Sequence, residues 1–167
     1  MMRIQTERLL ITDFTPVMAE AVHLGSLDAD TRHFLPDEVF ETTDAAAAVI
    51  ADLMECYTGT EGPFVHPMLV NGGYVGYVQL VPIEEGWEIG YHTVAAHTGQ
   101  GYATEAVRAF LPVIMERLNL SSVFGVCDAE NAASIRVLEK CGFARVFEGE
   151  ALYHGEMKPV VKMIYTK

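Results

Sequence analysis

The stretch His97-Thr98-Gly99-Gln100-Gly101-Tyr102-Ala103-Thr104-Glu105-Ala106 sets two glycines directly ahead of a helical pattern. Glycines let a chain turn tightly and approach a ligand closely. The first amides of the helix that follows have no acceptor of their own, and the helix dipole aims them at an anion. Gly99, Gly101 and the amides from Gln100 to Thr104 could thus hold a pyrophosphate; a plain helix-entry turn would use the same residues. Two other phosphate patterns fail. No Gly-Lys-Ser/Thr run exists for a P-loop. The residues after Gly101 do not complete a dinucleotide fingerprint, and the stretch lies in the second half of the chain. The loop carries no lysine or arginine. Just upstream, Glu88 alternates with Trp87 and Ile89 and so shares a strand face with His92. A carboxylate on a central strand is seldom buried without partner or purpose, and an imidazole titrates near neutrality, at about 6.5. Both are candidate proton acceptors; a solvated Glu88 is the alternative.

Composition narrows the partners. Net charge is −12 and no Lys/Arg cluster occurs, which speaks against nucleic acid and anionic membranes. An acidic surface suits cationic partners, although solubility alone also explains it. Cys56, Cys127 and Cys141 are widely spaced, and the six histidines form no metal-binding pattern, so no metal site is expected. No apolar run approaches the ~20 residues that span a bilayer. The opening "MMRIQTERLLITDF" carries acid and base inside its apolar stretch, unlike a secretory signal. A cytoplasmic protein is expected. With 167 residues, 50% of them hydrophobic, the chain suits one core and a single domain over 1–167.

These residues need elements to position them. "RLLITDF" reads as a strand. Thr15 and Pro16 start a helix through Val17, Ala21, Val22 and Leu24. Residues 25–42 read as a loop with a short helix. Thr43 or Asp44 caps a second helix with Val49, Leu53 and Met54 in its apolar stripe. "FVHPMLV", "YVGYVQLV" and "WEIGYHTV" form an antiparallel meander, turning at Asn71-Gly72-Gly73 and between Pro82 and Gly86. After the glycine loop, Val107, Phe110, Leu111, Ile114, Met115 and Leu118 recur at helical spacing, with Pro112 expected to kink the run. "SSVFGVC" is a buried strand, Asn131 caps "AASIRVLEK", Gly142 and Phe143 close that helix, and "VVKMIY" is the last strand. The order β-α-α-β-β-β-α-β-α-β predicts an α/β (α+β) fold, a mixed central sheet with helices on both faces.

Taken together, "WEIGYHTVAAHTGQGYATEA", "NAASIRVLEKCGF" and the opening "TERLLI" resemble the GNAT acetyltransferases, in particular the RimJ/RimL-like branch that acetylates ribosomal-protein N-termini or small amines. The resemblance covers nearly the whole chain, in the family's order. The family's Arg/Gln-x-x-Gly-x-Gly/Ala motif falls on Thr98, Gly101 and Ala103. Thr98 departs from it by replacing Arg or Gln, and His92 stands where the branch usually has a large aromatic. The resemblance implies acetyl-CoA as co-substrate and direct attack by a primary amine, a protein N-terminus or a small molecule, on the thioester. The cofactor would lie on His92, Thr93, Val94, Thr98, Gly99, Gln100, Gly101, Tyr102, Ala103, Thr104, Asn131 and Ser134. The Thr93 or Val94 amide would meet the acetyl oxygen and Ser134 would serve as acid at the thiolate. Glu88 is then the first candidate base and His92 the second; Glu150 and Tyr153 are weaker options, and Tyr153 could also act as acid. Segments 25–42, with His33, Phe34 and Asp37, and 150–159 would border the acceptor. The protein is expected to be a monomer or homodimer. A catalytically weak acyl-CoA-binding module is the alternative.

Overall fold

A computed structural model describes residues 1–167. Strands β1 (Arg3–Gln5) and β2 (Leu10–Thr12) form a hairpin. Helices α1 (Ala19–Gly25), α2 (Ala29–Phe34) and α3 (Thr43–Cys56) follow. Then come β3 (Phe64–Val70), β4 (Gly73–Ile83), β5 (Gly86–Thr93), α4 (Tyr102–Arg117), β6 (Ser122–Asp128), α5 (Ala132–Lys140), β7 (Ala144–Tyr153) and β8 (Glu156–Thr166). The strands build one eight-stranded sheet in the order β1-β2-β3-β4-β5-β6-β8-β7. Every neighbouring pair is antiparallel except β5 and β6. No helix is long and apolar enough to cross a membrane.

Strand alternation sends side chains to two cores. On one face Phe64, Met68, Val78, Leu80 and Ile89 pack against Val107, Phe110, Leu111 and Ile114 of α4 and Leu138 of α5. On the other, Val65 and Tyr77 pack against Ala19 and Val22 of α1 and Ala46 and Ile50 of α3. The mixed sheet with helices on both faces is the architecture the pattern predicts.

Local capping holds where the polar atom is next to its target. Asn131 Oδ1 accepts from Ser134 N at 3.1 Å. Gly142 takes φ +89° after α5, and Phe143 N reaches back to Leu138 O at 3.0 Å. Helix α4 runs from Tyr102 to Arg117 through Pro112.

Elsewhere tertiary packing overrides local signals. "RLLITDF" contributes only Leu10–Thr12 as strand, because Thr6 closes a turn that pairs β1 back on it: Leu9 N donates to Thr6 Oγ1 and Thr6 N to Leu9 O, both at 2.8 Å. Thr15 makes no side-chain cap; a 3-10 turn, Pro16–Met18, precedes α1. Val17 and Leu24 point to solvent. Thr42 caps α3, accepting from Ala45 N at 3.0 Å, and its buried stripe is Ala46 and Ile50 rather than Val49 and Met54. Pro82 lies inside β4, which runs to Ile83. Segment 150–159 is mostly strand. Its charged, exposed residues are Glu150 on β7, an edge strand, and Glu156 on β8; only His154 and Gly155 form the turn between them.

His66 on β3 is fully buried between the rings of Tyr57 and Phe110. Its Nδ1 bonds Thr12 O at 3.0 Å, while Nε2 has no partner. Burial pushes its pKa down to about 4. A depressed histidine contributes stability above its unfolded pKa, and that contribution is lost as pH falls from about 6.5 toward 4. Burial also lowers His92, which acts in the same direction. A His66→Leu variant should therefore show a shallower fall of Tm between pH 6.5 and 4.5 than the wild type, measured by thermal melts across that range.

Candidate active site

Strands β5 and β6 pair only at Glu88 and Phe124. Beyond that point they diverge, and a cleft of 540 Å³ opens between them. One wall is β5 from Glu88 to Thr93. The other is Val126, Cys127 and Asp128 of β6 with Asn131, Ala133, Ser134, Arg136, Val137 and Lys140 from the start and exposed face of α5. Gly125 brings α5 close, since a Cβ there would sit 2.7 Å from Leu138 Cδ2.

At the open end of β5 lies the glycine loop. Gly99 and Gly101 take φ of +75° and +81°, a region that favours glycine. The first helical bond of α4 runs from Glu105 N to Gly101 O. The amides of Gly99, Gln100, Gly101, Tyr102, Ala103 and Thr104 donate to no protein atom. Such a row of unspent donors at a helix N-terminus fits a pyrophosphate. Thr98, Gly99, Gly101, Tyr102, Ala103 and Thr104 line the cleft; Gln100 does not, and its carbonyl faces outward to Arg8. The Thr98 hydroxyl bonds Ala95 O at 3.0 Å.

Val94 is not on the cleft wall, because its amide donates to Val75 O at 2.8 Å as the last rung of the β4 ladder. Amides alternate sides along a strand, so Thr93 and Tyr91 present theirs toward the gap. Of the two acetyl-oxygen donors expected, only Thr93 has a free amide there.

Glu88 sits at the vertex of the gap. Burial pushes its pKa up to about 7, outweighing the pull of His154 and Lys162 and a hydrogen bond from the Val126 amide. The Tyr153 hydroxyl reaches the carbonyl of the same residue, Val126, at 3.4 Å, and burial raises its pKa. Tyr153 lines the cleft; Glu150 is exposed on β7 and does not.

His92 is buried against Tyr77, and burial lowers its pKa. Its Nε2 lies 2.8 Å from Thr31 Oγ1, which is 2.6 Å from Asp28 Oδ1. The threonine's one proton goes to the carboxylate, so His92 Nε2 carries the hydrogen that Thr31 accepts. That bond fixes the ring's orientation and leaves Nδ1 without a protein partner, while burial disfavours its charged form.

Ser134 Oγ lies 2.8 Å from the Tyr91 hydroxyl, which also donates to Ser134 O at 2.9 Å. Asn131 caps the helix beneath them.

Four residues at the site escaped the sequence reading. Tyr91 was readable by alternation as the residue between the two faces of interest, but its partner is distant in sequence. Glu38 lines the cleft from the Pro36–Glu38 turn; burial raises its pKa against hydrogen bonds from Tyr77 and Gln79. Thr31 orients His92, and Arg8 grips the glycine loop. Of the loop residues expected at the acceptor, Phe34 lines the cleft. Asp37 instead bonds His154 Nδ1 at 2.8 Å across its mouth, and His33 stays outside.

A cleft between splayed parallel strands, with an unspent amide row at its open end and a carboxyl at its vertex, suits an elongated ligand with an anionic end. The model of the acetyltransferase (GNAT) domain family matches residues 8–144, and the chain belongs to that family. It is similar to the uncharacterized N-acetyltransferase YnaD of Bacillus subtilis, 29% identical over 146 residues that cover 86% of this chain and 84% of that one. Among solved structures it is similar to a GNAT-family acetyltransferase from Bacillus anthracis, with TM-score 0.84, 26% identity and coverage of 99% and 98% of the two chains. It shares its fold with RimL, a ribosomal-protein acetyltransferase solved with coenzyme A, at TM-score 0.85 and 17% identity over 99% and 98% of the chains. The protein is an acetyltransferase that uses acetyl-CoA.

Thr98 lies exposed on the cleft wall beside the free amides. A Thr98→Arg variant adds a guanidinium there and should bind CoA several-fold more tightly, as charge-assisted bonds to phosphate do. Isothermal calorimetry of both proteins with CoA measures the change.

Proposed function

We propose that the protein transfers the acetyl group to a primary amine, with Glu88 as base and Ser134 as acid. The single observation that carries this reading is Glu88: a carboxyl on the cleft wall, at the vertex between β5 and β6, with a pKa near 7. A general base works best when its pKa lies near the operating pH. His92, lowered by burial, is the weaker base; its free Nδ1 is suited instead to accept a hydrogen bond from the acceptor.

Acetyl-CoA supplies the acyl group already activated as a thioester. The amides of Gly99 and of Gly101 to Thr104 hold its pyrophosphate, with Arg136 and Lys140 on the α5 wall of the cleft, and Asn131 borders the pantetheine path. The Thr93 amide donates to the carbonyl oxygen, where negative charge develops as the amine attacks. Glu88 accepts the proton that the nitrogen sheds as the C–N bond forms. Ser134 gives a proton to the sulfur as the C–S bond breaks and regains one from solvent in the open cleft, while the Tyr91 hydroxyl fixes the position of its Oγ. Tyr153, beside Glu88, borders the amine.

The lining charges support a cationic acceptor. Asp28, Asp30, Glu38, Glu88 and Asp128 line the side bounded by α2 and the β7–β8 turn, while the two lining cations, Arg136 and Lys140, both lie on α5. Both a protein N-terminus and a small amine fit that sign of charge.

Calorimetry with acetyl-CoA, followed by thiol release across a panel of amines, tests the function. Binding with release for at least one amine is expected; absence of binding at millimolar cofactor sinks the reading, and binding without release for any amine favours a binding module. Glu88→Gln should lower kcat by about a hundredfold. It should also remove the acidic limb of the pH–rate profile, which in the wild type rises through pH 7 as the carboxylate forms. Persistence of that limb would exclude Glu88 as base. Ser134→Ala should lower turnover while leaving CoA affinity within twofold, and unchanged turnover would refute its role as acid.

A further inference from the structure

The glycine loop has no cation of its own, but one reaches it from the far end of the chain. Arg8, in the turn between β1 and β2, donates from Nη1 to the Gln100 carbonyl at 2.8 Å. Its guanidinium lies over the Tyr102 ring, 4.6 Å from the centroid. Its Nη2 is 3.5 Å from where a Cβ on Gly101 would stand. The same side chain holds Glu105, in the first turn of α4, with Nε at 2.7 Å and Nη2 at 2.6 Å from Oε2. The other carboxylate oxygen, Oε1, takes the Arg8 amide at 3.0 Å and the Thr6 hydroxyl at 2.6 Å.

We infer that Arg8 is a positioning residue for the cofactor's pyrophosphate, acting through the loop rather than by touching the ligand. Two physical effects carry this. A trans peptide points its C=O and N–H in opposite directions. By fixing the Gln100 carbonyl on the outer side, Arg8 turns the Gly101 N–H toward the cleft that Gly101 lines and Gln100 does not. The second effect is electrostatic. A carboxylate in the first turn of α4 suits the helix dipole but repels a bound diphosphate. Arg8 and Thr6 occupy both oxygens of Glu105 and draw its charge toward the outer surface, leaving the six free amides without a competing anion.

This inference rests on the loop being the pyrophosphate site. Wild type and Arg8→Ala are titrated by calorimetry with CoA and with pantetheine, which lacks the pyrophosphate and nucleotide. The dissociation constant for CoA should rise about tenfold in the variant, while that for pantetheine stays within twofold. An equal loss for both ligands means a general defect of the fold and overturns the inference, as does no loss for either. If Arg8→Ala does not fold, Arg8→Lys, which keeps the charge but loses the fork, is read by the same criterion: loss confined to CoA supports the inference, and any other pattern overturns it. Failure of the wild type to bind CoA would instead sink the cofactor reading itself, so the two outcomes are distinct.

Discussion

Strands β5 and β6 lie side by side, yet each is committed to its other neighbour. Strand β5 keeps an unbroken antiparallel register with β4 from Ile83↔Gly86 to Gly76↔Thr93. Strand β6 does the same with β8 from Ser122↔Thr166 to Asp128↔Val160. With both strands held from outside, the parallel pair between them closes at one residue pair and then parts. Backbone donors inside a protein are ordinarily spent. Here the free edge of β5 and the start of α4 leave theirs facing a cleft, an unmet demand for acceptors that the proposed pantetheine and pyrophosphate contacts would meet.

The parting also makes the site two-sided. Side chains of Glu88 and His92 leave one face of β5, where α2 and the β7–β8 turn stand; Ile89, Tyr91 and Thr93 leave the other, toward α4 and α5. Tyr91 thus meets Ser134 on the α5 side while His92 meets Thr31 on the α2 side. The two segments that flank the α2 side of the cleft are far apart in sequence. They are joined across the cleft mouth by the hydrogen bond between His154 and Asp37.

What the sequence made legible is what acts over a few residues. Asn131 and Gly142 bracket α5, Asn71-Gly72 turns β3 into β4, and Gly99 and Gly101 open α4, because cap and turn chemistry is local. Alternation alone placed Glu88 and His92 on one face. The misses are contacts across the chain. Nothing near position 8 announces the loop around position 100, and Glu38 reads as an ordinary acid in a Pro-led turn until Tyr77 and Gln79 are folded over it. Strand β7 was missed because an edge strand needs no apolar alternation; its exposed run of charges resembles a loop. Caps slipped by one residue at α3 because Thr42, Thr43 and Asp44 are all competent N-caps, and packing of Ala46 and Ile50 selects the register.

The vertex where the strands part is also where the proposed base works against stability. Glu88 is half-buried there, and desolvation raises its pKa from that of an ordinary glutamate to about 7. A carboxyl with a raised folded-state pKa contributes most to stability when protonated, below its unfolded value, and that contribution is lost as pH rises through the folded value. The protein gives up this stability over the same interval in which the carboxylate becomes competent to accept a proton. An apolar residue at position 88 would avoid the loss, and so would a partner cation closer than Lys162 or His154. Either change would also move the group away from a pKa near neutrality. The carboxyl is thus poised by the incomplete compensation of its burial, and the burial follows from its place at the one rung that β5 and β6 share.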